Sequence, residues 1–235
     1  MQLATKFAPS REACGLASQA GFGHAELWTD EATLGAWREV VDVVSRFPLD
    51  YALHFPNRKL ANPLAVSGAV ELYRALGCRA MIIHQPQFDR YGDALLRREP
   101  GLRVAVENHD LSPAAFDDWA RNSPGLTLDV EHLWLYTLAD APLDVLLDVV
   151  RRFLERHVAK LRHVHLPGYV PGWATHRPMY CSREMVYGLF SLLDEFGFQG
   201  QVVSEVNSEY QTLNELRMDV LLHEAWAARY RRTSA

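Results

Sequence analysis

The stretch LTLDVEHLW, residues 126–134, closes an apolar run with Asp129, Glu131 and His132. Ionisable groups are costly to take out of water unless something pairs with them. Three at one strand end point to a metal, a catalytic centre or a solvated loop. Other apolar runs end the same way: His54 in ALHFPN, His84 in IIHQP, Glu107 in AVENH, His165 in HVHLP and Glu205 in VVSEV. Carboxylate oxygens with imidazole nitrogens suit zinc, manganese, iron or magnesium. An ion would also offset the mutual repulsion of the clustered carboxylates.

The elements that must position these residues are legible as short apolar runs alternating with amphipathic stretches. Strands are expected over 2–8, 24–29, 50–56, 80–86, 102–108, 126–131, 162–167 and 201–206. Helical patterns cover 10–21, 31–47, 64–77, 112–122, 141–161 and 182–197, with 207–230 as the closing helix. Gly77 and Gly197 follow helical patterns, and Ser112 with Pro113 opens one. The weakest unit is 87–101, where only a short helix is expected. Eight strands alternating with helices call for a parallel sheet, and a closed eight-fold barrel needs about 250 residues. The 235 residues, with no Gly/Ser-rich linker, fit an α/β fold: a single (β/α)8 TIM barrel over 1–235. In such a barrel the strand C-termini converge on one mouth, so the scattered polar residues are expected to meet there.

Composition narrows the function classes. Hydrophobic residues are 49% of the chain, and the formal net charge of -5 gives no general attraction to phosphate backbones, which argues against a nucleic-acid partner. No apolar run reaches the length of a membrane span, and the first residues lack the apolar core of a signal peptide. A cytoplasmic protein with a small-molecule substrate is expected, its oligomeric state unspecified. Cys14, Cys78 and Cys181 are too widely spaced for a disulfide framework or a thiolate zinc site.

In the order Glu107, then Asp129 and His132 as D-x-x-H, then His165 in H-x-H, then His176, then Glu205, the sequence resembles the xylose-isomerase-like barrel superfamily over essentially its whole length. That superfamily includes sugar isomerases, ketose epimerases, inosose dehydratases and apurinic endonucleases. The resemblance implies a divalent metal, manganese or zinc first and iron, cobalt or magnesium after them, held by Glu107, Asp129, His165 and Glu205. It also implies a proton-transfer role for Glu107 and Glu205. His54, His84, His132 and His176 resemble residues that the endonuclease branch uses for further metals, and could equally contact substrate. Relatives carry aspartates after H-x-H and beside the later histidine, where this chain has Pro167, Gly168, Ala174 and Thr175, which argues against a complete third metal site. Pro113 and Pro171 stand where ketose epimerases carry an acid and an arginine, so the extra partners of those enzymes are missing.

Plainer roles compete for several residues. His163, two residues before His165, should lie deeper on the same face and support rather than ligate. Glu131 is expected in a surface or helix-packing role. His132 could cap the following helix, His109 and Asp110 read as solvated turn residues, and His24, His157 and His223 carry no assigned role. Trp28, Trp134 and Trp173, with Phe55 and Tyr136, lie near strand ends or in their loops and suit a sugar-like substrate. Arg177 suits a phosphate or carboxylate. The leading expectation is a metal-dependent isomerase or epimerase acting by proton transfer on a small sugar-like or carbonyl compound. The alternatives are a zinc phosphoesterase related to the apurinic endonucleases and a non-catalytic metal-binding barrel.

Overall fold

The computed structural model describes residues 1–230. Seven strands, β1 (Gln2–Phe7), β2 (His24–Trp28), β3 (Asp50–His54), β4 (Met81–His84), β5 (Val104–Glu107), β6 (Leu126–Asp129) and β7 (Leu161–His165), follow one another around a sheet. A small antiparallel hairpin, β8 (Gly168–Val170) and β9 (Trp173–Arg177), then precedes β10 (Gln201–Ser204), which joins β7 to β1 and closes a parallel eight-stranded barrel.

Two apolar layers hold the barrel. The large core lies between strands and helices, where residues such as Leu27, Leu53, Ile83, Val106 and Leu128 face helical side chains. Inside, the apolar part shrinks to Ala52, Ala80 and Ile82. Strand alternation sends Lys6, Glu26, His54, Glu107, Asp129, His163, His165 and Gln201 to buried positions, so the barrel interior is unusually polar. The register sets neighbours: Lys6 pairs with Glu26, His84 with Glu107, Asp129 with His165, and Gln201 with His163.

Several local expectations are revised. The pattern over 31–47 divides into helices Glu31–Gly35 and Trp37–Val44, separated at Ala36. The segment expected to hold a short helix instead carries fourteen helical residues, Gln85–Arg98, because β4 stops at His84 and Pro86 enters the first turn, where its missing N–H costs nothing. The strand expected to 131 stops at Asp129, whose carboxylate accepts the His132 N–H at 2.7 Å and turns 130–132 into a helical turn. Among the described residues, no helix is long and apolar enough to cross a membrane.

Candidate metal centre and active site

The cluster is built from the last residue of each contributing strand. Glu107, Asp129 and His165 end β5, β6 and β7, and Glu205 follows β10 by one residue. The His165 Nδ1 lies 3.3 Å from Glu107 Oε1, 3.6 Å from Asp129 Oδ2 and 2.9 Å from Glu205 Oε2. All four side chains are buried, with His165 and Asp129 fully inaccessible. Yet His165 Nδ1, Asp129 Oδ2 and Glu205 Oε2 have no hydrogen-bond partner among the described residues. Three orphaned electron-pair donors aimed at one point are what a divalent ion would satisfy, and the ligand atoms of Glu107, Asp129 and His165 all lie within 4.8 Å of one another. The residues present therefore fit a metal.

A second group shares Glu107. Its Oε2 lies 3.1 Å from His54 Nε2 and 3.3 Å from His84 Nε2, and these three also satisfy the 4.8 Å spacing. Glu107 thus directs one oxygen toward the His165 side and the other toward His54 and His84. The His54 Nδ1 sits 2.9 Å from the Phe55 carbonyl, which fixes its ring and leaves Nε2 toward the carboxylate.

Protonation follows this geometry. Burial works against charge on His165, but Glu205, Glu26 and Glu107 together hold its pKa well above the ordinary imidazole value. Burial likewise opposes ionisation of Glu107, and His84 and His165 overcome it, so that carboxyl sits well below its ordinary range. Protons on histidine are thereby the charge balance of the cluster, a role that a bound cation would take over.

Behind the cluster lies support that sequence reasoning missed. Glu26 Oε2 takes His165 Nε2 at 2.9 Å and His163 Nε2 at 2.5 Å, so one buried carboxylate orients both histidines of H-x-H. His163 is in the supporting position expected of it. Lys6 Nζ lies 2.7 Å from Glu205 Oε1 and 3.2 Å from Glu26 Oε1. The available signal was a lone charge inside an apolar strand, Lys6 in QLATKF and Glu26 in HAELW.

Glu131 is corrected: it is 1% exposed rather than on a surface. The chain leaves the strand at Asp129, and Glu131 lies inward, where Oε1 accepts the Thr175 N–H at 3.0 Å and Oε2 contacts His176 Nδ1. This fastens β9 over the mouth and presents His176 Nε2 3.7 Å from Glu205 Oε1. Burial opposes charge on His176, but Glu205 and Glu131 raise its pKa to about 9. The glutamate from the 130–132 turn thus holds both the backbone at Thr175 and His176 and the His176 ring.

The remaining candidates sit around this centre. His132 Nδ1 is 3.4 Å from Asp129 Oδ2 and 3.2 Å from the Asn108 carbonyl; the helix cap is Asp129, not His132. His109 is exposed, as expected of a turn residue, and its ring also lies beside those of His132 and His84 at centroid distances of 4.7 and 5.1 Å. Trp28 lines a cavity of about 390 Å3 with Thr29, Pro56, Arg58 and Lys59; none of the cluster side chains lines it, and Thr29 Oγ1 donates to the main-chain carbonyl of His54. Trp134 is committed to packing, stacked on Tyr169 with its N–H donated to the Ala141 carbonyl. Trp173 stands exposed on the hairpin, and Arg177 ends β9 with its Nε buried and unpartnered.

No protein-family model matches the sequence, and no curated protein matches it significantly. Solved structures do match in shape. A D-tagatose 3-epimerase-like protein is 13% identical with a TM-score of 0.68, and the alignment covers 97% of each chain. A 3-keto-D-glucoside 4-epimerase from E. coli is 15% identical with a TM-score of 0.62 over 95% of this chain and 99% of that one. Endonuclease IV from Thermus thermophilus is 16% identical with a TM-score of 0.60 over 97% of this chain and 99% of that one. The likeness is one of fold, the closed eight-stranded parallel barrel with surrounding helices.

Proposed function

We propose that this chain is a divalent-metal-dependent isomerase or epimerase that moves a proton beside the carbonyl of a small polyhydroxylated compound. The observation that carries the reading is the placement of Glu107 Oε1 and Glu205 Oε2 at 3.3 and 2.9 Å from the same His165 nitrogen. They come from β5 and the end of β10, with β6 and β7 between, so the two carboxylates approach that point from different sides. A zinc or manganese ion held by Glu107, Asp129, His165 and Glu205 would supply polarisation of the substrate oxygen. One carboxylate then takes the proton from the carbon and the other returns it. Lys6 ties down Glu205 Oε1, leaving Oε2 for the reaction side. The Glu131-backed His176 offers Nε2 to a substrate hydroxyl. The cavity beside Trp28 gives the rest of the substrate room, and Arg58 and Lys59 in its wall suit an anionic end. The epimerases among the structural matches support the same reaction class.

One observation favours a second reading. His54, His84 and Glu107 form a second ligand group sharing a carboxylate with the first, the arrangement suited to a two-metal phosphoester hydrolase.

The two are separated by incubating the protein with ketoses, inososes and their phosphates in deuterium oxide. Proton transfer is expected to wash deuterium into the carbon beside the carbonyl. Glu205→Gln is expected to lower that turnover about a hundredfold or more while retaining metal at least in part. Release of inorganic phosphate with no solvent exchange would replace this reading with hydrolysis.

A further inference from the structure

A second polar centre lies at the opposite, N-terminal end of the barrel. There a cavity of about 70 Å3 is lined by Arg79, Arg103, Arg162, His163, Gln201 and Gln2. The three arginines come from the starts of strands: Arg79 lies two residues before β4, Arg103 directly precedes β5, and Arg162 is the second residue of β7. Arg79 is engaged, donating to Gln2 Oε1 at 3.0 Å and Asp50 Oδ2 at 2.5 Å. The guanidinium groups of Arg103 and Arg162 make no hydrogen bond or ion pair among the described residues, and Arg162 Nε is buried. Its position depends on Gly125, since a Cβ there would fall 2.4 Å from Arg162 Nε.

The floor of the cavity is independent of the arginines. Gln201 is 2% exposed, yet neither its Oε1 nor its Nε2 has a partner among the described residues. An amide taken out of water without hydrogen bonds is costly, so the open Gln201 Nε2 beside unpaired guanidinium groups calls for a ligand that accepts several hydrogen bonds, while Oε1 calls for a donor, such as the hydroxyl of a monohydrogen phosphate. The negative charge beside the cavity is Asp50, already shared by Arg79 and His24. The volume is several times the roughly 10–15 Å3 that one water needs in the same measure, and suits a tetrahedral oxyanion.

We propose that this cavity binds a phosphate-type oxyanion, held by Arg103, Arg162 and the Gln201 amide. Nothing in it belongs to the metal cluster except its back wall, where His163 turns its other nitrogen to Glu26. Arginine forks match phosphate oxygens in pairs, and the exposed rim lets the anion enter from solvent.

The test is a titration of the full chain with sodium phosphate or sulfate at constant ionic strength, read by calorimetry and by melting temperature against chloride. Saturable binding with an upward shift that chloride does not give is expected. Arg103→Gln and Gln201→Leu should each weaken it at least about tenfold, as loss of a charge-assisted or buried hydrogen bond would. Arg103 is exposed, so that variant tests binding without disturbing the core, and an unchanged circular dichroism spectrum checks this. Glycerol 3-phosphate binding more tightly than phosphate would assign the cavity to the terminal phosphate of a larger molecule; the reverse assigns it to the free anion. Absence of saturable binding, or binding equally tight in both variants, would overturn the proposal and leave a water-filled barrel base.

Discussion

Glu26→Gln tests the support beneath the cluster, because this side chain is not among the four proposed ligands yet fixes one of them, His165. Glu26 Oε2 serves His165 and His163 at 2.9 and 2.5 Å, and Oε1 faces Lys6 at 3.2 Å. An amide of the same shape cannot satisfy all three. With its oxygen toward the histidines, its NH2 meets the Lys6 ammonium; reversed, its NH2 meets both imidazole N–H groups. Exchanging a charged acceptor for a neutral one weakens the His165 bond by about 1 kcal/mol. The misplaced donor and the lost negative charge contribute about as much again, so metal affinity should fall by about 2 kcal/mol, or roughly thirtyfold. The assay is competition for zinc against a chromophoric chelator, with circular dichroism confirming that the barrel is folded. A dissociation constant within about twofold of the unmodified protein would refute the role of Glu26 and weaken that of His165 as ligand.

Two stability measurements probe the frame. Asp219 accepts Ser204 Oγ at 2.6 Å, and burial, the largest influence on it, raises its pKa from 3.8 to about 6. A carboxyl raised on folding stabilises the native state fully below its unfolded pKa, and that contribution disappears as pH rises through about 6. Asp219→Asn removes the titration, so in urea melts the variant should gain about 1 kcal/mol on the unmodified protein between about pH 5 and pH 7; a constant difference would contradict it. Gly68→Ala would place a Cβ 2.1 Å from the Leu34 carbonyl oxygen, between the helices 64–76 and 31–35. A loss of about 2 kcal/mol is expected even after the gain in helix propensity, and unchanged stability would show that the contact relaxes freely.

The barrel is legible in the sequence because its strands are short apolar runs, and β3 to β7 end in the polar residues His54, His84, Glu107, Asp129 and His165 that build the cluster. Glu107, Asp129, His165 and Glu205 come together as their places at strand ends suggest, and so do His54 and His84. What stays hidden are the partners set by register and by strand ends. Lys6 and Glu26 lie on separate strands with a whole helix between them in the chain, yet pair across β1 and β2. Nothing in either run alone shows which charge faces which. Glu131 stands two residues beyond Asp129, a spacing that alternation keeps on the inward face, and although the backbone enters a helical turn at Asp129 the side chain is still buried, so a surface role did not follow from the pattern. The hairpin β8–β9 is hidden for another reason: its stability comes from the Glu131 contacts and from Gly168, where a Cβ would meet the Pro178 carbonyl at 2.0 Å, rather than from an apolar pattern of its own.

The most direct test is anomalous scattering from crystals of the protein grown without added metal and with a zinc or manganese soak. An ion is expected within bonding distance of Glu107, Asp129, His165 Nδ1 and Glu205, and a second between His54, His84 and Glu107 would carry the hydrolytic reading forward. Crystals that show no anomalous signal at the Glu107, Asp129, His165 and Glu205 cluster after soaking, or a signal bound elsewhere, would contradict the metal-dependent mechanism.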